Sequence, residues 1–200
     1  MTVYIASMNC RGTWAQAPAS AAKLNVTSAQ AKNMARRDFS PMSPVEGTYK
    51  GYWNFESYWQ SGKVFEDIPH DTSRTWWLRN CEAKRRYPGS KDKRVLYAMF
   101  DHINEPLDYI ESRKQVYVPE YYDLIKDREA TQQWQHRVAH GNDVIIYDFD
   151  GPRNADGSVT CLPLDRDLLT AKLNDPATPF GHGYVVGALL LGIHYDEFVR

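Results

Sequence analysis

The stretch NFESYWQSGKVF, residues 54–65, combines spaced polar side chains with a run of aromatic ones. Its apolar residues recur from Phe55 at the i, i+3 and i+7 positions that are typical of a buried helix face. Asn54, directly before them, is a residue type that caps helix starts. The pattern therefore predicts a helix over residues 54–66.

Three polar residues, Glu56, Gln60 and Lys63, interrupt this apolar pattern. On a continuous helix they would form one stripe within about 60° of arc, with Glu56 and Lys63 roughly 10 Å apart along the axis. That separation exceeds the reach of an ordinary ion pair on a helix surface and would admit a group of about the size of a ribose. Alternatively, Glu56 only complements the helix dipole and Lys63 only extends into water.

The composition limits the class of protein. The chain has 200 residues, of which 13% are aromatic. Its formal net charge of -1 permits a local basic patch on an otherwise balanced surface. Its three cysteines form no CxxC pair, so neither a disulfide framework nor a common zinc spacing is indicated. The start resembles no signal peptide and the most apolar segment is too short to span a bilayer, so we expect a cytoplasmic, soluble protein.

The remaining pattern mixes short strands with helices. Residues 2–7 and the segment NDVIIYDFDGPR, residues 142–153, predict strands. Residues 119–140 predict one or two amphipathic helices, residues 165–173 a short helix, and residues 181–198 a nearly all-apolar helix. The sequence predicts an α+β fold: a compact, predominantly helical single domain with a small β-sheet. The proline-containing segment RRDFSPMSPVEG, residues 36–47, predicts a loop.

Residues 79–94 form a basic patch, with seven Lys and Arg against two acidic residues. The patch follows Trp76 and contains Tyr87. Cations interleaved with aromatic rings can hold a pyrophosphate or a nucleic-acid backbone, which makes Lys84 and Arg85 candidates for that role. A solvated loop would explain the same composition.

Acidic residues near the carboxyl end of the second predicted strand are further candidates. Asp148 and Asp150 end this strand, and Asp175 precedes the segment PATPFGHG. Each carboxylate could polarise water or bind ribose hydroxyls, although Asp175 also suits a turn. His136 and His140 have a zinc-compatible spacing, but the glutamate of HExxH is missing and no third ligand is evident, so no metal site is expected.

The order of several segments resembles the NADAR family, also called the YbiA-like family. FSPM, residues 39–42, and ESYWQSGKVF, residues 56–65, are similar to its FSNF-type segment and to its EHYFQAQK helix, with the same Glu–Gln–Lys spacing. EAKRR at residues 82–86 and DVIIYDFD followed by FGHGYVVGALLLGI look like later parts of the family pattern. This chain departs from that pattern at Met42, Ser57 and Phe180.

The resemblance implies a fold, a reaction and a set of site residues. It implies one NADAR-like domain over residues 1–200, with an N-terminal extension at residues 1–38 and a basic insertion at about residues 79–118. The implied reaction is hydrolysis of the ribose–base bond of an ADP-ribosylated guanine, in a nucleic acid or a nucleotide, or of a related ribosylated nucleotide. We expect no cofactor, no metal ion and no association with a membrane. The expected catalytic residues are Glu56, Lys63 and Asp150, and the expected substrate-binding residues are Phe39, Ser40, Tyr58, Trp59, Gln60, Lys84, Arg85, Asp175, Phe180, Gly181, His182 and Gly183.

Three alternatives remain open at this stage. If the chemistry is covalent, the nucleophile is either Lys63 or Lys84. The opening segment VYIAS, residues 3–7, is also similar to the first strand of nucleoside deoxyribosyltransferases, which would require a parallel sheet with alternating helices. A non-catalytic module that binds ADP-ribose or nucleic acid is the third possibility.

Overall fold

The computed structural model describes residues 1–10, 17–27 and 33–200. These residues form two units, which are described separately. Unit 1 comprises Met1–Ser40 and Val118–Arg200, and unit 2 comprises Pro41–Tyr117.

The elements are numbered along the chain. The strands are β1 (Val3–Ser7), β2 (Ala22–Asn25), β3 (Lys63–Phe65), β4 (Val95–Ala98), β5 (Val144–Asp148) and β6 (Cys161–Pro163). The α-helices are α1 (Met34–Asp38), α2 (Phe55–Ser61), α3 (His70–Arg79), α4 (Tyr109–Ser112), α5 (Val118–Ile125), α6 (Glu129–Ala139), α7 (Arg166–Leu173) and α8 (His182–Leu191). One π-helical turn, Arg113–Tyr117, follows α4.

Unit 1 contains a four-stranded sheet in the order β2-β5-β1-β6. Strands β2, β5 and β1 run parallel, and β6 is antiparallel to β1. The register places Val3 opposite Val144 and Ile5 opposite Ile146, and all four of these side chains are buried. The carboxyl ends of three parallel strands consequently meet at one edge of the sheet.

Helix α8 packs against β1 and β5. Its residues His182–Leu190 are all buried, because small residues allow close contact. A Cβ atom on Gly187 would lie 2.1 Å from a methyl carbon of Leu164. The glycines of GHGYVVG therefore serve close packing.

Most elements of unit 1 agree with the sequence-based predictions. The strand at residues 2–7 and the helices near residues 119–140 and 165–173 are confirmed. The predicted loop at residues 36–47 is wrong at its start, because α1 continues to Asp38 after Asn33 caps its first turn. Residues 1–38, predicted to be an extension, supply β1 and β2, although residues 11–16 and 28–32 lie outside the described part.

Unit 2 is built around a cluster of aromatic side chains next to a two-stranded antiparallel sheet, β3 with β4. The predicted helix over residues 54–66 is correct only as far as Ser61. Gly62 ends the helix, and Lys63 is the first residue of β3. Pairing with β4, more than 30 residues later in the chain, outweighs the local helical pattern at this point.

The predicted fold class, α+β and predominantly helical with a small sheet, is confirmed. None of the helices in the described residues has both the length and the apolar character that crossing a membrane requires.

Candidate active site

The position of Glu56 is fixed by the start of α2. Asn54 is fully buried, accepts a hydrogen bond from the Ser57 backbone N–H at 2.7 Å and donates one to the Met42 carbonyl at 2.8 Å. The backbone N–H of Glu56 donates to the Pro41 carbonyl at 2.8 Å. These hydrogen bonds connect Pro41 and Met42 to the first turn of the helix. In this turn the helix dipole favours a carboxylate such as that of Glu56.

Gln60 orients the Glu56 carboxylate. Its Nε2 donates to Glu56 Oε1 at 2.7 Å, across one turn of α2. Gln60 is buried and Glu56 is half-buried. The predicted placement of these two residues on one helix face is confirmed.

Lys63 does not extend this helical stripe. It lies on β3 opposite Ala98, so the 10 Å separation expected along a helix axis does not apply. Burial lowers the pKa of Lys63; the negative charge of Glu56 opposes this effect and the positive charge of Arg86 adds to it. The charge of Glu56 thus still acts on Lys63, although Lys63 lies on a strand and not on the helix.

A cavity of about 200 Å³ opens beside Lys63. The Lys63 Nζ atom lies 5.9 Å from the centre of the Trp59 ring, and that ring stacks on Phe100 at 5.9 Å with an interplanar angle of 15°. Flat apolar walls of this kind suit a planar ligand. The cavity is lined by Trp59, Lys63, Val95, Leu96, Tyr97, Ala98, Asp108, Tyr109 and Ser112.

Most of this lining comes from residues that the sequence analysis did not single out. Strand β4 and helix α4 lie in the region that has no counterpart in the family pattern. The β-branched and aromatic run Val95–Tyr97 favours a strand, but nothing local shows that it pairs with β3. Tyr109, one of these lining residues, contacts Arg113, whose guanidinium carbon lies 3.8 Å from the centre of its ring.

Tyr58, on the opposite face of α2, has a packing role. It is buried, and its ring contacts those of Tyr49 and Tyr52 at 5.3 Å and 5.7 Å between centroids. It also contacts Phe100 at 5.4 Å. Its predicted role in substrate binding stays a prediction.

The basic patch forms an exposed surface of unit 2. Lys84 is exposed and pairs with Glu82 at 2.8 Å, and Arg85 is also exposed. Trp76 and Tyr87 meet edge to face at 5.6 Å in the wall of an open groove that also includes Lys84. Of the two lysines considered as a nucleophile, Lys63 is half-buried with a pKa lowered by burial, whereas Lys84 is exposed and ion-paired.

In unit 1, Asp148 anchors α8 to β5. The carboxylate is 1% exposed and accepts a hydrogen bond from the Gly183 backbone N–H at 2.8 Å. His182 Nδ1 lies 3.5 Å from the same oxygen, and His182 Nε2 donates to the Val26 carbonyl at 2.6 Å. A Cβ on Gly181 would lie 2.4 Å from this carboxylate oxygen, so the segment that begins α8 has no room for a larger residue there.

The other predicted site residues of unit 1 occupy varied environments. Asp150 is exposed just beyond β5. Asp175 stabilises a turn, since it accepts hydrogen bonds from the Ala177 N–H at 2.9 Å and from the Thr178 hydroxyl at 2.5 Å. Phe180 stacks on Tyr184 at 5.1 Å. Phe39 and Ser40 are buried, and the Phe39 carbonyl accepts a hydrogen bond from the Tyr121 hydroxyl at 2.6 Å.

The predicted site residues therefore fall into two groups. One group lies in unit 2 and consists of Glu56, Gln60 and Lys63, next to Trp59. The other lies in unit 1 and includes Asp148, Asp150, Asp175 and the GHG segment. His136 and His140 lie on the surface of α6 with ring centres 3.9 Å apart. Among residues 1–10, 17–27 and 33–200, no group of three or more His, Cys, Asp or Glu side chains is arranged to hold a metal ion.

Comparison with known proteins finds no protein-family model, no curated protein and no solved structure that matches this chain. The resemblance to the NADAR family consequently rests on the motifs themselves and stays a prediction.

Proposed function

We propose that the protein is an N-glycosidase that hydrolyses the ribose–base bond of an ADP-ribosylated guanine, in a nucleic acid or a nucleotide, or of a related ribosylated nucleotide. One observation carries the proposal. Lys63, with a pKa lowered by burial, lies within electrostatic reach of a carboxylate oriented by Gln60 and beside a cavity walled by Trp59. Ionisable groups perturbed by burial and by a specific charge at the edge of a cavity are characteristic of active sites.

The reaction needs a carboxylate near the sugar. Cleavage of the bond between ribose and base develops positive charge at C1′ and negative charge on the departing base. Glu56 would stabilise the positive centre and orient a water molecule for attack on it. Proton transfer by a positioned side chain contributes typically about 10²–10⁴-fold to such rates. The hydrogen bond from Gln60 holds one carboxylate oxygen in place and reduces the cost of reorganisation.

Lys63 can serve the same reaction in two protonation states. As an ammonium it would donate a proton to the departing base. As a neutral amine it would attack C1′, displace the base and form a Schiff base with the opened sugar, which water then hydrolyses. Because its pKa is lowered, a larger fraction of Lys63 is neutral at a given pH than of an ordinary lysine. Trp59 would stack on the base and exclude water from the reacting atoms.

A second candidate is a nucleoside deoxyribosyltransferase-like enzyme, which one feature of unit 1 favours. This class requires a parallel sheet, and β2, β5 and β1 are parallel. Such an enzyme would pass the sugar to a second base instead of to water. Adding a free purine or pyrimidine to the reaction distinguishes the two, because only the transferase would form a new nucleoside.

The proposal is tested by offering the wild-type protein a DNA oligonucleotide that carries ADP-ribose on guanine, and in parallel a free ribosylated nucleotide. Mass spectrometry then measures released ADP-ribose or ribose phosphate. Release with regeneration of an unmodified base supports the glycosidase. Tight binding of intact substrate without release would contradict it and would instead indicate a binding module.

A further inference from the structure

A second cavity, of about 160 Å³, lies in unit 1 at the carboxyl end of β5. Three parallel strands end at this edge of the sheet, the usual location of ligand sites in parallel sheets. None of its residues belongs to the cavity beside Lys63. It is lined by Phe149, Asp150, Gly151, Arg153, Lys172, Thr178, Pro179 and Tyr184.

Tyr184 gives this cavity an unusual polar group. The residue is 0% exposed, yet its hydroxyl has no hydrogen-bond partner among the described residues. A buried hydroxyl left without a partner destabilises a protein, and such groups are rare in natural structures unless water or a ligand satisfies them. Burial, together with Asp148, Asp150 and Asp175, raises the pKa of Tyr184, so the hydroxyl remains protonated and able to donate.

Two cations, Lys172 and Arg153, also line this cavity. Lys172 is half-buried, and its ammonium lies 3.9 Å from Asp175, beyond hydrogen-bonding distance. Arg153 donates from Nη1 to the Gly157 carbonyl at 3.2 Å, which leaves the other side of its guanidinium for a second acceptor. Asp175 is occupied within its own turn by Ala177 and Thr178. The lining of the cavity therefore includes three side chains that are able to donate hydrogen bonds, two of them positively charged.

We propose that this cavity binds a small oxyanion, the phosphate or carboxylate group of a ligand, through Lys172, Arg153 and the Tyr184 hydroxyl. Charge-assisted hydrogen bonds from lysine and arginine to such groups are among the strongest that proteins form. Asp150, also in the lining, opposes anion binding, so the proposal requires the attraction of Lys172 and Arg153 to exceed this repulsion. The inference is independent of the proposed function, because it uses no residue of the cavity beside Lys63.

The experiment is a titration of the 200-residue chain with inorganic phosphate and, separately, with acetate, followed by NMR or calorimetry. The two probes distinguish a phosphate site from a carboxylate site. Lys172→Gln should weaken binding of the preferred probe at least about tenfold, as expected for loss of one charge-assisted hydrogen bond. Lys126→Gln is the matched control, since Lys126 is an exposed lysine of unit 1 outside the cavity lining.

Tyr184→Phe provides a second readout that does not depend on charge. Without anion, this variant should have a higher Tm than the wild type, because it removes a buried hydroxyl that lacks a partner. With anion, the ligand-induced rise in Tm should be smaller than for the wild type. Equal binding by wild type and Lys172→Gln, which would indicate an adventitious ion only, overturns the proposal. So does the absence of binding by both probes, or a lower Tm of Tyr184→Phe without anion.

Discussion

At the residue scale, Lys63 combines a proposed role in catalysis with a cost in stability. Its folded-state pKa is lowered chiefly by burial, so the folded protein holds the lysine proton less tightly than the unfolded chain does. The sequence predicted that Lys63 and Glu56 act together. It did not predict how they meet, because the periodicity of residues 54–66 suggests one helix throughout.

The pH dependence of stability follows from this lowered pKa. Below the folded-state pKa, the charged lysine is partly desolvated and destabilises the fold. The penalty decreases as the pH rises through the folded-state pKa towards the ordinary lysine value of 10.5. The gain in the free energy of unfolding of Lys63→Met over the wild type should therefore be largest near neutral pH. It should decrease as the pH approaches 10.5.

Urea unfolding of Lys63→Met and the wild type between neutral and alkaline pH measures the effect. Lys91→Met is the control, because Lys91 is an exposed lysine of the same unit. A difference between Lys63→Met and wild type that stays constant across the pH range would show that the Lys63 pKa is not lowered.

At the element scale, the junction between α2 and β3 sets the direction of Lys63. Gly62 is the last residue before the strand and has a φ of -72°, which any residue can adopt. A Cβ at this position would nevertheless lie 2.4 Å from the Phe100 ring. The close approach of this ring, and not backbone conformation, accounts for a glycine here.

Gly62→Ala should therefore destabilise the protein by about 1–3 kcal/mol, the usual range for overpacking in a core. Alanine at an unhindered helical position would have the opposite effect, since it is favoured over glycine by about 1 kcal/mol. Chemical denaturation measures the difference. When Phe100 is already replaced by leucine, Gly62→Ala should lower the free energy of unfolding by less than it does in the wild type. A neutral or stabilising effect of Gly62→Ala would contradict the packing argument.

Some elements were predictable from local sequence and others were not. Helix α8 is nearly all apolar and could be predicted without knowledge of its partners, although it ends at Leu191, before Gly192, and does not continue to residue 198 as predicted. The end of α2 could not, because β3 forms only when it pairs with β4. The anchoring role of Asp148 also depends on a distant contact, with the backbone of Gly183.

At the scale of the whole molecule, long-range strand pairing limits what the sequence reveals. Strands β1 and β5 are separated by about two-thirds of the chain, and their parallel pairing leaves no local signature. The α+β class follows from element types, which are local, whereas the parallel sheet order does not. In the same way, Glu56 and Gln60 could be placed together from helical spacing. The cavity wall from β4 and α4 could not.

The proposed function requires Glu56 to participate directly in breaking a ribose–base bond. Its most direct test is the single-turnover rate of ADP-ribose release from guanine-modified DNA by wild type, Glu56→Gln and Glu46→Gln. Glu46 is an exposed glutamate of the same unit, so its variant removes the same charge away from the site. Equal urea midpoints for the three proteins would establish that all are folded.

Glu56→Gln should release ADP-ribose at least about 10²-fold more slowly than the wild type, the lower end of the cost of removing one group that stabilises charge in the transition state. Glu46→Gln should match the wild type. Release at the wild-type rate by Glu56→Gln would contradict the assignment of Glu56 as the catalytic carboxylate.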